Sequence, residues 1–313
     1  MSLKAYLSFV ELPTKIASII PFIMGSVYTY YRYGEINFFN IVIMFISMIT
    51  FDMATTAINN YCDYKNELKH FEKDYKGKNA IFVYDISRNT ALWTIWILLF
   101  IAVVFGIILT LRTNLLVLVI GVVCFFIGIF YTYGPIPISR MPLGEVFSGV
   151  FMGLLIPFLT IFISIYNKDY FGISIVDGIL LIKLNLIEIL VIILVSMPLI
   201  GGIANIMLAN NICDLEEDIK LGRYTLPYYI SKYRAIKLYK YIYYISYIAI
   251  IFSVTIGILP KTALLSILTL YILQKNINKF ENEQIKSKTF ITSVKNFSLL
   301  GFMYIISIAI SAI

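Results

Sequence analysis

The side chains best suited to chemistry fall in two short stretches, "NNYCDYKNE" at 59–67 and "NNICDLEED" at 210–218. Asn59, Asn60, Cys62, Asp63 and Glu67 recur 151 residues later as Asn210, Asn211, Cys213, Asp214 and Asp218. Residues four apart on an α-helix lie about 40° apart around its axis. Asn59, Asp63 and Glu67 therefore form one stripe, and Asn210, Asp214 and Asp218 another. Carboxylates so close repel one another unless a cation sits among them. Oxygen ligands without histidine or sulfur suit Mg²⁺, which takes one or two carboxylates and completes its shell with water and phosphate oxygens. Solvated charges at helix ends would explain one ladder but not its repetition; two facing ladders are expected to hold ions around a diphosphate.

The elements that must carry these ladders are membrane helices. Of 313 residues 60% are hydrophobic and 14% charged, and the mean hydropathy of +0.86 lies outside the range of soluble domains. A hydrocarbon core of about 30 Å takes roughly 20 helical residues. Apolar runs of that order occupy 16–33, 38–58, 91–111, 115–133, 146–166, 186–209, 238–258 and 294–312, with a shorter one at 260–274. The expected fold is an all-α, polytopic membrane helix bundle of about nine transmembrane helices around a central cavity with a cytoplasmic loop cap. No linker interrupts the chain, which reads as a single domain over 1–313 with a weak internal duplication. The opening "MSLKAYLSFVELP" lacks the pattern of a removable signal peptide.

Cys62, Cys124 and Cys213 lie in or beside apolar runs and lack zinc-site spacing, so neither a disulfide framework nor a zinc centre is expected. His70 is the only histidine, which excludes Ser-His-Asp and Cys-His nucleophilic schemes, and no GxSxG elbow or glycine-rich phosphate loop is present.

Lysine and arginine counts set the orientation. With the N-terminus inside and nine spans, twenty of the 25 fall in inside segments, leaving Arg32, Arg112, Lys168, Lys183 and Lys261 outside. The second and sixth spans then run from outside to inside, and both ladders emerge on the cytoplasmic face. Inside connections at 61–90, 210–237 and 275–293 are long and charged, whereas most outside ones are expected to be a few residues.

"NNYCDYKNE" and "NNICDLEEDIKLGRYTL" resemble the two aspartate-rich motifs of the UbiA superfamily of intramembrane aromatic prenyltransferases. "ELPTKIASIIPFIMGSVY" resembles that family's first helix. "FDMATTAINNYCDY", "GPIPISRMPLGEVFSGVFMG" and "GRYTL" resemble the branch that prenylates 1,4-dihydroxy-2-naphthoate in menaquinone synthesis. Two departures stand out: Asn60 where many members have Asp, and Glu67 in place of the motif's last Asp. The resemblance implies Mg²⁺-dependent transfer of a polyprenyl group from polyprenyl diphosphate to the naphthoate with loss of its carboxylate, giving a demethylmenaquinone. It implies Asp63, Glu67, Asp214 and Asp218 as metal ligands, with Asn59, Asn60, Asn210 and Asn211 beside the substrate. Partners would be the diphosphate, a small aromatic acceptor and membrane lipid, not nucleic acid, in a bacterial plasma membrane with the active site on the cytoplasmic side.

Further candidates surround the ladders. Arg223, Lys220 and Lys15 are expected diphosphate clamps. Tyr131 resembles a family tyrosine near the first isoprenoid unit, where an aromatic face steadies a cation. Asp52, on the stripe of Asp63 and roughly 16 Å deeper, has no Lys or Arg adjacent in sequence; it needs a polar partner such as Thr55 or Thr56, and is assigned to the acceptor end. Glu145 is a candidate for orienting acceptor hydroxyls or serving as a base. Rival readings are a family member with another acceptor such as 4-hydroxybenzoate, and an ion-coupled transporter, whose sites belong near the midplane. A CDP-alcohol phosphotransferase needs a DG…AR…G…D…D pattern that neither ladder supplies.

Overall fold

The computed structural model describes residues 1–70, 79–132 and 137–312, with the side chains of 66–70 and 132 outside that description. Glu67 and His70 therefore have no described side chain, and most of "GPIP" lies outside the described residues.

The chain is helical almost throughout. Helix α1 (Leu3–Phe9) and a 3-10 turn (Leu12–Lys15) lead into α2 (Ile16–Tyr33) and the long α3 (Phe38–His70). Then come α4 (Ala80–Val83), α5 (Arg88–Arg112), α6 (Leu115–Thr132) and α7 (Gly144–Val150). One π-helical stretch, Phe151–Leu155, joins α7 to α8 (Ile156–Ile165). Strands β1 (Phe171–Val176) and β2 (Ile179–Leu184) form a hairpin before α9 (Leu186–Lys220). After it follow α10 (Leu226–Ile230), α11 (Lys232–Thr255), a 3-10 segment (Lys261–Thr269), α12 (Leu270–Asn282) and α13 (Ile291–Ala309).

Each expected apolar run coincides with helix, but not all are full spans. Among the described residues six helical segments are long and apolar enough to cross a membrane, seven if Leu3–Phe9 and Leu12–Tyr33, bent by 50°, count as one. Leu115–Tyr131 is a shorter apolar helix, and the 260–274 run begins as the 3-10 segment. Helix α3 continues to His70 and α9 to Lys220, as the four-residue stripes expect. The connection between α8 and α9 is longer than the few residues expected of most outside ones and carries the hairpin.

Two compact units form, Met1–Ile16 with Val42–Pro137, and Ala17–Ile41 with Ile138–Ile313. In the first, fully buried Ala54 and Ala57 present little side chain, so α3 packs closely in a cluster with Phe9, Val10, Ile81 and Ala91. Ser87 caps α5 by accepting from the Thr90 N–H at 3.2 Å.

In the second unit, α7 and the π-helical stretch that follows it run against α9 through Gly149 and Gly153 respectively. A Cβ on Gly153 would lie 2.6 Å from the Ile200 backbone, and one on Gly149 2.9 Å from the Ile200 carbonyl. Small residues four apart let membrane helices approach backbone to backbone, and this contact sets the height of α7 beside α9.

The lengths of α3 and α9 place the ladders. Helix α9 has 35 residues, or about 52 Å at the usual rise, against a hydrocarbon core of about 30 Å. Near its N-terminus Glu188 accepts from Arg32 at 2.8 Å and from the Tyr33 hydroxyl at 2.9 Å. A span takes roughly 20 residues, so on a count from Glu188 the residues Asp214 and Asp218 fall on the surplus last turns of α9. In α3 the same count from Phe38 leaves Asp63 on that helix's own surplus turns.

Candidate functional site

In the first unit the helix continues through Asn59 and Asp63, giving the stripe its expected register. Asn60 is buried, and its amide donates to the Phe9 carbonyl at 2.9 Å and to Glu11 Oε1 at 3.2 Å. Its own carbonyl accepts from Asn79 at 2.7 Å. Asn60 thus ties the N-terminal segment and the start of α4 to the ladder, a positioning role for a side chain expected beside substrate. Tyr61, one residue on, is held by Arg88 at 3.1 Å and lies under the Lys65 ammonium, 5.0 Å from the ring centre.

Deeper in the same unit, Lys15 and Asp52 form an ion pair. The ammonium, 2% exposed, lies 2.6 Å from Asp52 Oδ1, 2.6 Å from Thr56 Oγ1 and 3.1 Å from the Asp52 carbonyl. Asp52 therefore has the polar partner its burial demands, a lysine distant in sequence rather than a neighbouring threonine alone. The structure brings Lys15, expected as a diphosphate clamp, to the level of Asp52, about three turns from Asp63. Tyr131 ends the described part of α6 and is half-buried.

In the second unit the ladder stands on the last three turns of α9. Asp218 is buried, with Asp214 one turn before it. Gly222, at φ +69°, ends the helix in the left-handed conformation. The Gly222 N–H returns to the Ile219 carbonyl at 3.1 Å and the Arg223 N–H to the Asp218 carbonyl at 2.8 Å, the paired bonds of a Schellman ending. "KLGRY" therefore folds Arg223 back over the ladder, its guanidinium 3.9 Å from Asp218 Oδ1. From the connection between α12 and α13, Lys286 places its ammonium on Asp214 Oδ2. Lys220 is exposed and instead lines a cleft with Cys213, Glu217 and Lys232.

Glu145 is 4% exposed and its Oε1 accepts from Asn211 at 2.8 Å. Its second oxygen is buried without a hydrogen-bond partner, an acceptor available to a hydroxyl. Asn211 thus does in this unit what Asn60 does in the other, fixing a neighbouring segment, while Asn210 and Asn59, half-buried, lie on the stripes themselves. Lys286 was missed in the sequence because a lysine in a basic connection carries no pattern of its own.

Among the described residues no group of three or more His, Cys, Asp and Glu side chains converges. The donor set is Asp214 with Asp218, two carboxylates flanked by Lys286 and Arg223. That is the count Mg²⁺ takes from protein when phosphate oxygens supply the rest, and the flanking cations suit the phosphate.

The model of the UbiA prenyltransferase family matches residues 18–294. The chain is 30% identical over 244 residues to a 1,4-dihydroxy-2-naphthoate octaprenyltransferase of Bacillus subtilis (strain 168), a stretch covering 78% of this chain and 71% of that protein. Among solved structures, the apo form of a UbiA homolog from Aeropyrum pernix K1 matches with a TM-score of 0.69 at 17% identity, over 94% of this chain and 98% of that one. A UbiA homolog from Archaeoglobus fulgidus bound to GPP and Mg²⁺ matches at 0.65 and 13% identity, over 98% and 99%. At such identities the structures speak for the fold, and the sequence matches for the family. This chain belongs to the UbiA prenyltransferase family and is a membrane-embedded prenyltransferase.

Proposed function

We propose that the enzyme transfers a polyprenyl group from polyprenyl diphosphate to 1,4-dihydroxy-2-naphthoate, releasing diphosphate and carbon dioxide and leaving the reduced form of a demethylmenaquinone. The observation that carries this reading is the second ladder, two carboxylates and two cations at the end of an over-long membrane helix. The Bacillus relative supports the choice of acceptor, and membership of a prenyltransferase family sets the transporter alternative aside.

As the resemblance implies, Asp63 and Glu67 of one unit and Asp214 and Asp218 of the other would hold Mg²⁺, which would supply positive charge to the departing diphosphate. Arg223 binds a diphosphate oxygen as the allylic C–O bond breaks and its electron pair leaves with the diphosphate. The ring carbon that bears the carboxylate forms the new C–C bond to the allylic cation, and the carboxylate leaves that carbon as carbon dioxide, the electron pair of the broken C–C bond restoring the aromatic ring. Glu145 Oε2 accepts from an acceptor hydroxyl, the Lys15–Asp52 pair lines the acceptor end, and the Tyr131 ring steadies the cation. Asn59 and Asn210 contact the diphosphate, while Lys220 contributes positive charge nearby. The ladders would lie on the cytoplasmic side of a bacterial plasma membrane, a reading supported by the excess of lysine and arginine in the segments read as inside.

The test is mass spectrometry of lipids formed by the purified protein in nanodiscs with 1,4-dihydroxy-2-naphthoate, a long prenyl diphosphate and Mg²⁺, with 4-hydroxybenzoate and EDTA controls in parallel. A metal-dependent, decarboxylated product supports the proposal. Prenylation of the benzoate alone replaces the acceptor, and full turnover in Asp214→Ala overturns the ladder.

A further inference from the structure

The hairpin between α8 and α9 has no part in the chemistry, and its surface is unusual. Its register pairs Phe171 with Leu184, Ile173 with Ile182 and Ile175 with Leu180. Directly opposed residues share a face, so these six side chains form one face without a polar atom. Gly172, Ser174 and Lys183 stand on the other, with Val176, Ile179 and Leu181. Phe171 is buried, its ring 5.2 Å from that of Phe158 and 6.2 Å from that of Phe162. Further out the apolar face is bare: Ile175 is 67% exposed, Leu180 57% and Ile182 61%. Asp177 and Gly178, both at positive φ, make the tight turn that two-residue hairpins favour.

We propose that this hairpin is an in-plane membrane anchor whose apolar face, Ile173, Ile175, Leu180, Ile182 and Leu184, lies on the acyl chains at the outer interface.

Three observations converge on lipid as the occupant. Beyond Asn185, which caps α9, exposed apolar side chains resume with Leu186, Ile187 and Leu190 on the first turns of a helix long and apolar enough to span a membrane. The hairpin springs from the level at which polar and aromatic groups gather: Arg32 with Glu188, Lys168 with Glu35 at 3.0 Å, and the Tyr33 and Tyr170 rings 6.2 Å apart. Such a belt marks the boundary between headgroups and hydrocarbon. A two-stranded ribbon also leaves both outer edges with unpaired N–H and C=O groups. Deep hydrocarbon would make those groups costly, whereas the interface supplies water to the edges and acyl chains to the face. The anchor fixes the outer end of α9 at the membrane surface and so holds the over-long helix with its surplus turns on the far side. This inference is independent of which aromatic acceptor the enzyme uses.

Trp93 and Trp96, the two tryptophans, are both exposed and are replaced by Phe to give a silent background. Ile182→Trp then reports the apolar face and Lys183→Trp the other, in phosphatidylethanolamine–phosphatidylglycerol vesicles carrying bromine near the headgroup or near the acyl terminus. Ile182→Trp should be quenched several-fold more by the shallow bromolipid than Lys183→Trp, which should respond to aqueous iodide instead. Equal iodide quenching at both positions would overturn the anchor. So would stronger quenching by the deep bromolipid, or an Ile182→Trp signal shielded from both quenchers, which would assign the face to a second copy of the chain. The two positions are exposed, and Leu181→Trp repeats the second readout should Lys183→Trp fail to accumulate.

Discussion

Lys286 rests its ammonium on Oδ2 of Asp214, one of the carboxylates proposed to hold Mg²⁺. Lys286 is about half exposed, and exposed pairs contribute about 0.2–1 kcal/mol, so the lysine holds the site electrically balanced without blocking it. Lys286→Ala removes a competitor for Asp214. Binding of Mn²⁺ to the substrate-free enzyme, followed by electron paramagnetic resonance, should tighten by up to about fivefold. The KM for prenyl diphosphate should rise, because the displaced ammonium is then absent from the phosphate. Unchanged metal affinity would show that the pair has no bearing on the site.

Arg223 depends on a single glycine. Gly222→Ala forces a Cβ into the left-handed conformation at about 1–2 kcal/mol and loosens the turn that returns Arg223 to Asp218. The KM for prenyl diphosphate should increase while that for the aromatic acceptor stays put, and Gly222→Asn, which tolerates this conformation, should recover most of the loss. Arg223→Ala should raise the same KM by on the order of tenfold to a hundredfold. An equal effect of either variant on both substrates would remove Arg223 from the diphosphate.

The α7–α9 crossing admits no extra methyl group. Gly153→Ala should cost about 1–3 kcal/mol by overpacking and shift Glu145 away from Asn211, lowering both the melting temperature in detergent and turnover. Gly121→Ala, where nothing lies within 4 Å of the added carbon, is the matched control and should be neutral. Equal melting temperatures for the two variants would contradict the close approach.

What the sequence made legible follows the physics of each signal. Hydropathy marks burial in lipid, so each long apolar run coincides with helix; it falls silent where a helix leaves the membrane, and the last turns of α3 and α9 were legible only through the four-residue spacing of their ladders. The ladders were visible because four-residue spacing is a local property of one helix. Lys15 with Asp52, and Lys286 with Asp214, join residues 37 and 72 positions apart, and no local pattern encodes such pairs. The hairpin had a signal of its own, Asp177-Gly178 between two apolar, β-branched runs, but it lies in an outside connection, where mostly a few residues are expected.

Lys15 and Asp52 yield the sharpest separation of stability from chemistry. Removing one partner strands the other in a site where Lys15 is 2% exposed, and breaking a buried pair costs about 3–5 kcal/mol. Asp52→Ala should therefore lower the melting temperature strongly and leave little folded enzyme. Replacing both, as Lys15→Met with Asp52→Leu, removes the desolvated charges together and should restore most of that stability. If the pair only supports the fold, the double variant regains turnover along with its melting temperature. If it lines the acceptor end as proposed, the double variant is stable but slow, with a raised KM for the naphthoate and an unchanged KM for the diphosphate. Recovery of full turnover would thus confine Lys15 and Asp52 to structure, whereas a diphosphate defect would return Lys15 to the clamp.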